Sequence, residues 1–407
     1  MSSDYPSQSL SERDAFARLL IDRLRLAGET AEIRYDPEDF TLHVEGRELA
    51  KQAILVNLFA EYQRAEPAKQ QLLVRNYVRS WFYKGMPEDF EDVHPDLLPT
   101  VRTRAYVELG HLNFRLQQDD TPAWPYLPLA EHLSVSLVYD LPEALRQIQQ
   151  YDLDHWGVDF ATALARAIDN LREISHQQFV PAGVGVWRSP WRDNLDASRL
   201  VLPELFLAYP LKGDPVAMIP NRDTLLLTGS RDDSGLARLL ELAEAAFEQP
   251  RAVSGLAVRL TPEGWTPFLP PPEHSLYRRF RLLFLRSLGS DYNNQKELLD
   301  QFHTQHDLDI HVATYSLVLE KQTGDPLSYC VWPTGSDTLL PVVDRVCFFQ
   351  PSNDEDSRGG HILGWADWAV LEESLETILE PTDWYPIRYR IRELPDESIL
   401  NALRPLP

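Results

Sequence analysis

The chain has 407 residues, of which 43% are hydrophobic and 25% charged, and this length predicts two or three compact domains. Its formal net charge of −23 repels phosphate backbones, which excludes nucleic-acid binding as the main activity. No apolar run approaches the roughly 18 residues that a membrane span needs, and the polar N-terminus lacks the order of a secretory signal, so we expect a cytoplasmic protein that does not contact membranes.

The first hundred residues predict helices around a hairpin. An apolar run predicts a first helix that begins near residue 11 and ends at Gly28. Residues 31–35 and 40–45 have the composition of two short strands joined by a turn that contains a proline. Two amphipathic helices follow, the second after Pro67, because proline suits the first turn of a helix.

Residues 133–175 carry the clearest pattern in the chain. Four apolar side chains alternate along residues 133–139, which predicts a half-buried strand with these side chains on one face: Leu133, Val135, Leu137 and Tyr139. A second set recurs at helical spacing and predicts a helix that covers the sheet: Phe160, Leu164, Ile168 and Leu171. Between residues 84 and 130, prolines interrupt the pattern, and only 101–116 predicts a sustained element.

Strands and helices alternate through the rest of the chain. The central part predicts strands at 183–187, 215–219 and 224–228 and a helix at 236–247. Five prolines within residues 261–275 indicate a stiff, extended linker. After a helix at 276–288, the C-terminal part predicts strands at 310–320, 327–332, 342–349 and 386–391, with a helix at 367–379.

These elements predict an α+β fold of mixed α/β layers. We expect an N-terminal helix-hairpin-helix region at 1–120 and a central mixed sheet with covering helices at 121–260. The linker at 261–275 would then lead to a β-rich C-terminal module at 276–407.

Two cysteines, Cys330 and Cys347, are too few for a disulfide framework or a thiolate zinc site. Apolar or aromatic residues flank each of them, which favours buried strand thiols. A redox pair is the alternative.

Several patches of the first two thirds of the chain, taken in their order, carry a family resemblance. They include EIRYDPEDFTLHV, LPLAEHLSVSLVYDLPEAL, the segment that contains Trp156 and Gly157, DASRLVLPELF and IPNRDTLLLTGS. In these patches the chain resembles the YtpQ-like family of uncharacterised bacterial proteins over about residues 10–265. The resemblance implies an intracellular protein of undetermined activity and supplies no catalytic residues. The C-terminal part departs from the family pattern.

The segment HTQHDLDIH holds the densest set of potential metal ligands: His303, His306, Asp307, Asp309 and His311. Imidazoles and carboxylates are ligands for zinc or iron, and residues three apart share one face of a helix. The segment lies where a helix gives way to a strand, however, which would direct the side chains apart. Polar surface residues at a helix end are therefore the favoured interpretation, with a metal site as the alternative.

Charged pairs at two further places invite a structural interpretation. Arg222 and Asp223 lie in a turn between two apolar strands, where bidentate pairing would hold the turn closed. For Asp196 and Arg199 we favour the same structural interpretation, an ion pair that stabilises the fold. With Trp156, these residues are the structural or binding candidates, and no catalytic residue or cofactor is predicted, because the nucleotide-binding, hydrolase and metalloprotease motifs are absent from the sequence.

The first functional hypothesis is a non-enzymatic protein that binds another protein or a peptide through its sheet faces or its C-terminal module. The second is a metal-dependent hydrolase that uses the His303–His311 cluster. A third is a sensor that binds a small ligand in a cleft lined by tryptophans: Trp187, Trp191, Trp265, Trp332, Trp365, Trp368 and Trp384.

Overall fold

A computed structural model describes residues 10–45, 51–82, 86–116, 124–141, 144–351 and 360–392. The fold is mixed α+β, as the sequence predicts, with 40% helix and 30% strand. Eleven helices and five mostly antiparallel sheets lie within the described residues. None of the helices in these ranges is both long and apolar enough to cross a lipid bilayer.

Two compact units divide the chain. The smaller unit comprises Met1–Leu98 and Val138–Gln147, and the larger comprises Pro99–Leu137 and Ile148–Pro407. The domain limits expected from the sequence at residues 120, 260 and 275 stay a prediction.

Three strands and four helices make up most of the smaller unit. In chain order they are α1 (Leu10–Leu26), β1 (Glu32–Asp36), β2 (Thr41–Glu45), β3 (Lys51–Ile54), α2 (Val56–Arg64), α3 (Pro67–Trp81) and α4 (Phe90–Val93). The predicted hairpin is β1 and β2, and β3 adds a third strand that the sequence pattern did not indicate. Phe16, Leu20 and Phe59 of the helices pack with Phe40 and Leu42 in one apolar core.

The strand at the start of the clearest sequence pattern is buried on both faces. The next elements are β4 (Leu97–Thr103), α5 (Arg104–Leu116), β5 (Tyr126–Leu129), β6 (Leu133–Leu141) and β7 (Ala144–Gln147). Every residue of β6 from Leu133 to Tyr139 is buried, so the expectation of a half-buried strand was wrong. Ser134 and Ser136, which produced the apparent alternation, are themselves buried, and the Ser134 hydroxyl donates to the Thr103 carbonyl (3.3 Å).

An antiparallel sheet of six strands forms the centre of the larger unit. The elements here are α6 (Gln150–Trp156), α7 (Phe160–Glu173), β8 (Val180–Gly183), β9 (Val186–Arg188), α8 (Glu204–Leu207), β10 (Pro215–Asn221), β11 (Thr224–Gly229), α9 (Asp233–Phe247), β12 (Ala257–Thr261) and β13 (Gly264–Phe268). The strand order is β13-β12-β10-β11-β9-β8. Leu236, Leu239 and Leu240 of α9 pack on the face of the sheet that carries Val216 and Met218.

The proline-rich segment at 261–275, expected to be a linker, contributes β13 to this sheet. Pro267 is tolerated because β13 is an edge strand, where a missing N–H need not break a ladder. The segment is also tied to the core: the Trp265 indole is buried and donates to the Leu200 carbonyl (2.8 Å).

One long helix precedes the C-terminal sheets. The elements are α10 (Tyr277–Gln305), β14 (His311–Val312), β15 (Ser316–Leu319), β16 (Pro326–Pro333), β17 (Thr338–Pro341), β18 (Arg345–Pro351), β19 (Gly360–Asp367), α11 (Trp368–Ser374), β20 (Glu380–Pro381) and β21 (Arg388–Ile391). They form two sheets, β14-β17-β21-β20 and β15-β16-β18-β19. The prediction that α10 ends at residue 288 was wrong, because the helix continues through Gly289 to Gln305. Gly289 lies against the Tyr315 ring, and a Cβ at this position would come within 3.0 Å of that ring.

A fully buried arginine links α10 to the C-terminal strands. The Arg388 guanidinium donates to Gln295 Oε1 (2.6 Å) and to the carbonyls of Ala313 (2.8 Å), Leu339 (3.2 Å) and Tyr292 (3.0 Å). These acceptors are all neutral, and burial lowers the pKa of Arg388 to about 10. The fold therefore holds a buried cation with amide and carbonyl oxygens instead of a carboxylate.

Asp291 on α10 is a partly buried carboxyl group whose surroundings disfavour its charge. Burial raises its pKa to about 7. The pKa in the unfolded chain is about 4, so the folded state binds this proton more tightly. The stabilisation is complete below about pH 4 and is lost as the pH rises through about 7.

We therefore expect the substitution Asp291→Asn to raise the free energy of unfolding at pH 8 and to change it little at pH 5, because the amide keeps the shape of the neutral acid. Urea unfolding followed by tryptophan fluorescence at the two pH values measures this. Asp309→Asn, at an exposed acid, is the matched control. An equal effect of Asp291→Asn at both pH values would contradict the assignment.

Candidate functional site

The turn between β10 and β11 is closed by an arginine and the acid beside it. Arg222 donates from Nε to Asp223 Oδ1 (3.1 Å) and from Nη2 to Oδ2 (3.3 Å). The Asp223 N–H donates to Asn221 Oδ1 (3.0 Å), and the Asn221 amide binds the Pro250 carbonyl (2.5 Å). This geometry is that of a structural clamp, since both charged side chains are engaged within the turn.

Arg199 is paired, but not with the acid that the sequence suggested. It is fully buried and makes a bidentate pair with Asp193 (2.9 and 2.7 Å), while its Nε donates to the Ser175 hydroxyl (2.8 Å). The guanidinium lies 4.1 Å from the centre of the Trp191 ring. Burial acts to raise the pKa of Asp193, but the hydrogen bonds and charge of Arg199 outweigh it and hold that pKa below its usual range. Asp193 was missed because only the folded loop brings it to Arg199.

Asp196 is fully buried, and neither of its carboxyl oxygens accepts a hydrogen bond of good geometry. Burial raises its pKa, and the nearby Ser189 hydroxyl offsets this only in part. Burial therefore disfavours the charged form of Asp196, and the ion pair of Arg199 is made with Asp193 instead. Trp156, the last residue of α6, is half-buried and precedes Gly157, which ends the helix in the left-handed conformation (φ 64°).

The predicted metal ligands lie around the end of α10. A cleft of about 810 Å³ is lined by four of the five, together with Asp300 and Ser336: His303, Asp307, Asp309 and His311. His306 is not among the lining residues; its ring packs 4.1 Å from that of Phe302.

The side chains that line this cleft do not converge on one point. His303 donates from Nδ1 to the Ile310 carbonyl (3.1 Å), and burial lowers the pKa values of both His303 and His311. The helix ends at Gln305 and Asp307 adopts a positive φ of 51°, so successive side chains leave the backbone in different directions, as the sequence suggested. Within the ranges that the structure describes, no group of three or more His, Cys, Asp or Glu side chains is arranged to hold a metal ion.

The sheet β15-β16-β18-β19 presents a second apolar surface in addition to the one it buries. Along β16, Ser328, Cys330 and Trp332 are buried, whereas the residues between them are half-buried or exposed. The register extends this alternation across the sheet, because Val331 lies beside Cys347 and Cys347 beside Trp365. We call the resulting surface the outer sheet face: Leu327, Tyr329, Val331, Pro333, Arg345, Cys347, Phe349, Ile362, Trp365 and Asp367.

Aromatic and aliphatic side chains dominate the outer sheet face. The Tyr329 and Trp365 rings lie 5.6 Å apart across three strands, and Ile362 is 58% exposed beside Phe349. The two cysteines are free and buried in strands, as predicted. They point to opposite faces of the sheet, since Cys330 pairs with Val346 in the inner core, so they do not form a redox pair.

One edge of this sheet is a long strand with a single neighbour among the described strands. β19 has eight residues and pairs with β18 alone among the described strands. Exposed edges of this kind accept a further strand through main-chain hydrogen bonds. The sequence did contain a signal for this surface, because the segments CVW and CFF have the pattern of strands with apolar residues on both faces. That pattern does not distinguish a strand that is buried on both faces from a strand with one exposed apolar face.

Comparison with known proteins gives no match to a family model, a curated protein or a solved structure. The resemblance to the YtpQ-like family therefore stays a prediction.

The role of Arg199 can be tested by a substitution that keeps its charge. We expect Arg199→Lys to lower the free energy of unfolding by about 2 kcal/mol, because a lysine cannot serve both oxygens of Asp193 and the Ser175 hydroxyl at once. Arg238→Lys, at an exposed arginine paired with Glu241, is the control and is expected to change it little. Urea unfolding measures both, and equal effects of the two variants would refute a structural role for Arg199.

Proposed function

We propose that the protein is a non-enzymatic, cytoplasmic binding protein whose partner is another protein. The partner contributes an extended segment that adds to the β19 edge and lays apolar side chains against the outer sheet face. The observation that carries this proposal is the combination of a partly exposed apolar sheet face with an edge strand, in the same sheet, that has one described neighbour.

The two features act on different parts of a bound segment. Main-chain hydrogen bonds to β19 would supply binding that does not depend on sequence, since every residue except proline has both groups. Alternate side chains of the segment would point toward the same side as Trp365 and Ile362, and their burial would give the specificity. Each fully buried aliphatic side chain contributes roughly 1.5 to 3 kcal/mol.

Charge argues for a different protein as partner over a second copy of this chain. At a net charge of −23, two copies repel each other at long range. The one arginine among the named members of the outer sheet face is already neutralised, because Arg345 pairs with Asp367 (3.1 Å) and Glu320 (3.2 Å). We therefore expect a neutral or basic segment in the partner.

A photo-crosslinking amino acid placed at position 331 or 362 tests this surface in cells. We expect it to capture one partner at both positions, whereas the same group at Val184, a more exposed apolar residue in the turn between β8 and β9 of the other large sheet, should not. The captured protein would then be purified and its dissociation constant measured against the wild type, Val331→Lys and Ile362→Lys.

Both lysine variants should weaken binding at least tenfold, because a charge on the face must be desolvated in the complex. Val184→Lys should leave the dissociation constant unchanged. Equal binding of all four proteins, or equal capture at position 184, would contradict the proposal.

A metal-dependent hydrolase is the second candidate, since His303, Asp309 and His311 line one cleft, although the described side chains there are not arranged to hold a metal ion. Elemental analysis of freshly purified protein without a tag separates the two. About one zinc, manganese or iron per chain, lost in the variant His311→Ala, would favour the hydrolase. Protein that neither retains nor binds added metal would exclude it.

A further inference from the structure

A cleft of about 680 Å³ opens at the N-terminal end of α9 in the larger unit. Its lining includes polar residues: Asp214, Ser230, Arg231, Asp233, Arg259 and His274. Leu236 and the segment from Pro267 to Pro271 add an apolar part to the lining. We call this the arginine cleft, after Arg231 and Arg259.

Arg259 occupies a position where the sheet faces its apolar core. Its cross-strand neighbour on β10 is Val216, which packs under α9, and Ala257, two residues earlier on β12, belongs to the same core. The Nε atom of Arg259 is buried and has no hydrogen-bond partner, and its guanidinium forms no ion pair with any described residue. The residue as a whole is half-buried, but this one N–H has lost its water and found no acceptor, which costs the fold free energy.

Arg231 reaches the same cleft from the loop that precedes α9. Its backbone N–H donates to the Lys212 carbonyl (2.9 Å), which fixes the loop, while its guanidinium has no acidic partner among the described residues. Gly213 leaves the necessary room: its φ is +89°, and a Cβ there would lie 3.0 Å from Arg231 Nε.

The acids near the cleft do not neutralise these two arginines. Asp232 pairs with Lys212 (3.2 Å) and caps α9, and Asp233 pairs with His274 (3.3 Å). Asp214 lines the cleft and, like Arg231, is exposed to solvent, which screens both charges. The arginine cleft is therefore a concave site with two unpaired guanidinium groups.

We propose that the arginine cleft binds a small organic anion, a phosphate or carboxylate that carries an apolar portion. Each guanidinium presents a planar fork of donors that matches the oxygens of either group. The apolar portion would lie against Phe268 and Leu269, and the volume is that of an ordinary small-molecule site. This site uses none of the residues of the outer sheet face, so it can fail or succeed independently of the proposed partner binding.

Isothermal titration calorimetry with four probes tests the site: phenyl phosphate, phenylacetate, inorganic phosphate and benzyl alcohol. We expect at least one of the two aromatic anions to bind, and to bind more tightly than inorganic phosphate or the neutral alcohol. The comparison of phenyl phosphate with phenylacetate identifies which anionic group is preferred. Arg231→Gln and Arg259→Gln should each weaken that binding about tenfold or more, and Arg238→Gln, outside the cleft, should not. Absence of binding by both aromatic anions, or binding that the two variants leave unchanged, would overturn the proposal.

Stability gives an independent measure without any ligand. If Arg259 is kept for binding, Arg259→Met should raise the midpoint of urea unfolding in the ligand-free protein, because the substitution removes a buried Nε–H donor that has no acceptor. A lower midpoint would show that the guanidinium serves the fold, and would contradict the proposal.

Discussion

A buried guanidinium needs hydrogen-bond acceptors, and this need determines several of the contacts that hold the larger unit together. Arg388 meets it with one side-chain amide and three backbone carbonyls, and in doing so joins α10 to three segments of the C-terminal region. Arg199 meets it with one carboxylate, one hydroxyl and a tryptophan face. Arg259, on a strand of the six-stranded sheet, is only half-buried and is left with an unpartnered Nε, which is why we regard it as a binding group and the other two as structural.

A similar contrast separates the two apolar faces of the sheet β15-β16-β18-β19. The inner face packs Cys330, Trp332 and Phe348 into a core with Tyr292 of α10. The outer sheet face has comparable side chains and no described layer over it, although such residues lower their free energy when they leave water. The sheet is thus built to be covered on both sides, and the second cover is what we assign to a partner.

Much of the fold could be predicted from periodicity alone. The α+β class and the hairpin β1-β2 follow from local pattern, because alternation and helical spacing report the elements directly. Burial was harder to predict. Serines at 134 and 136 give β6 the appearance of an amphipathic strand, yet small polar side chains can be buried when they find backbone acceptors.

The sites could be predicted less well, because they depend on partners that are distant in sequence. The ion pair between Arg222 and Asp223 could be predicted, since the two residues are adjacent in the sequence. For Arg259 the local sequence offers one indication, which is a charged residue at a core-facing position of an apolar strand. Its meaning depends on the absence of a described acceptor, which only the fold reveals.

Hydrogen exchange of the purified complex with the captured partner tests the central claim most directly. The account predicts that amides of β19 become protected on binding and that the six-stranded sheet remains unchanged, because main-chain pairing slows exchange at the edge strand itself. Protection confined to other parts of the chain, with β19 exchanging as fast as in the free protein, would contradict the account.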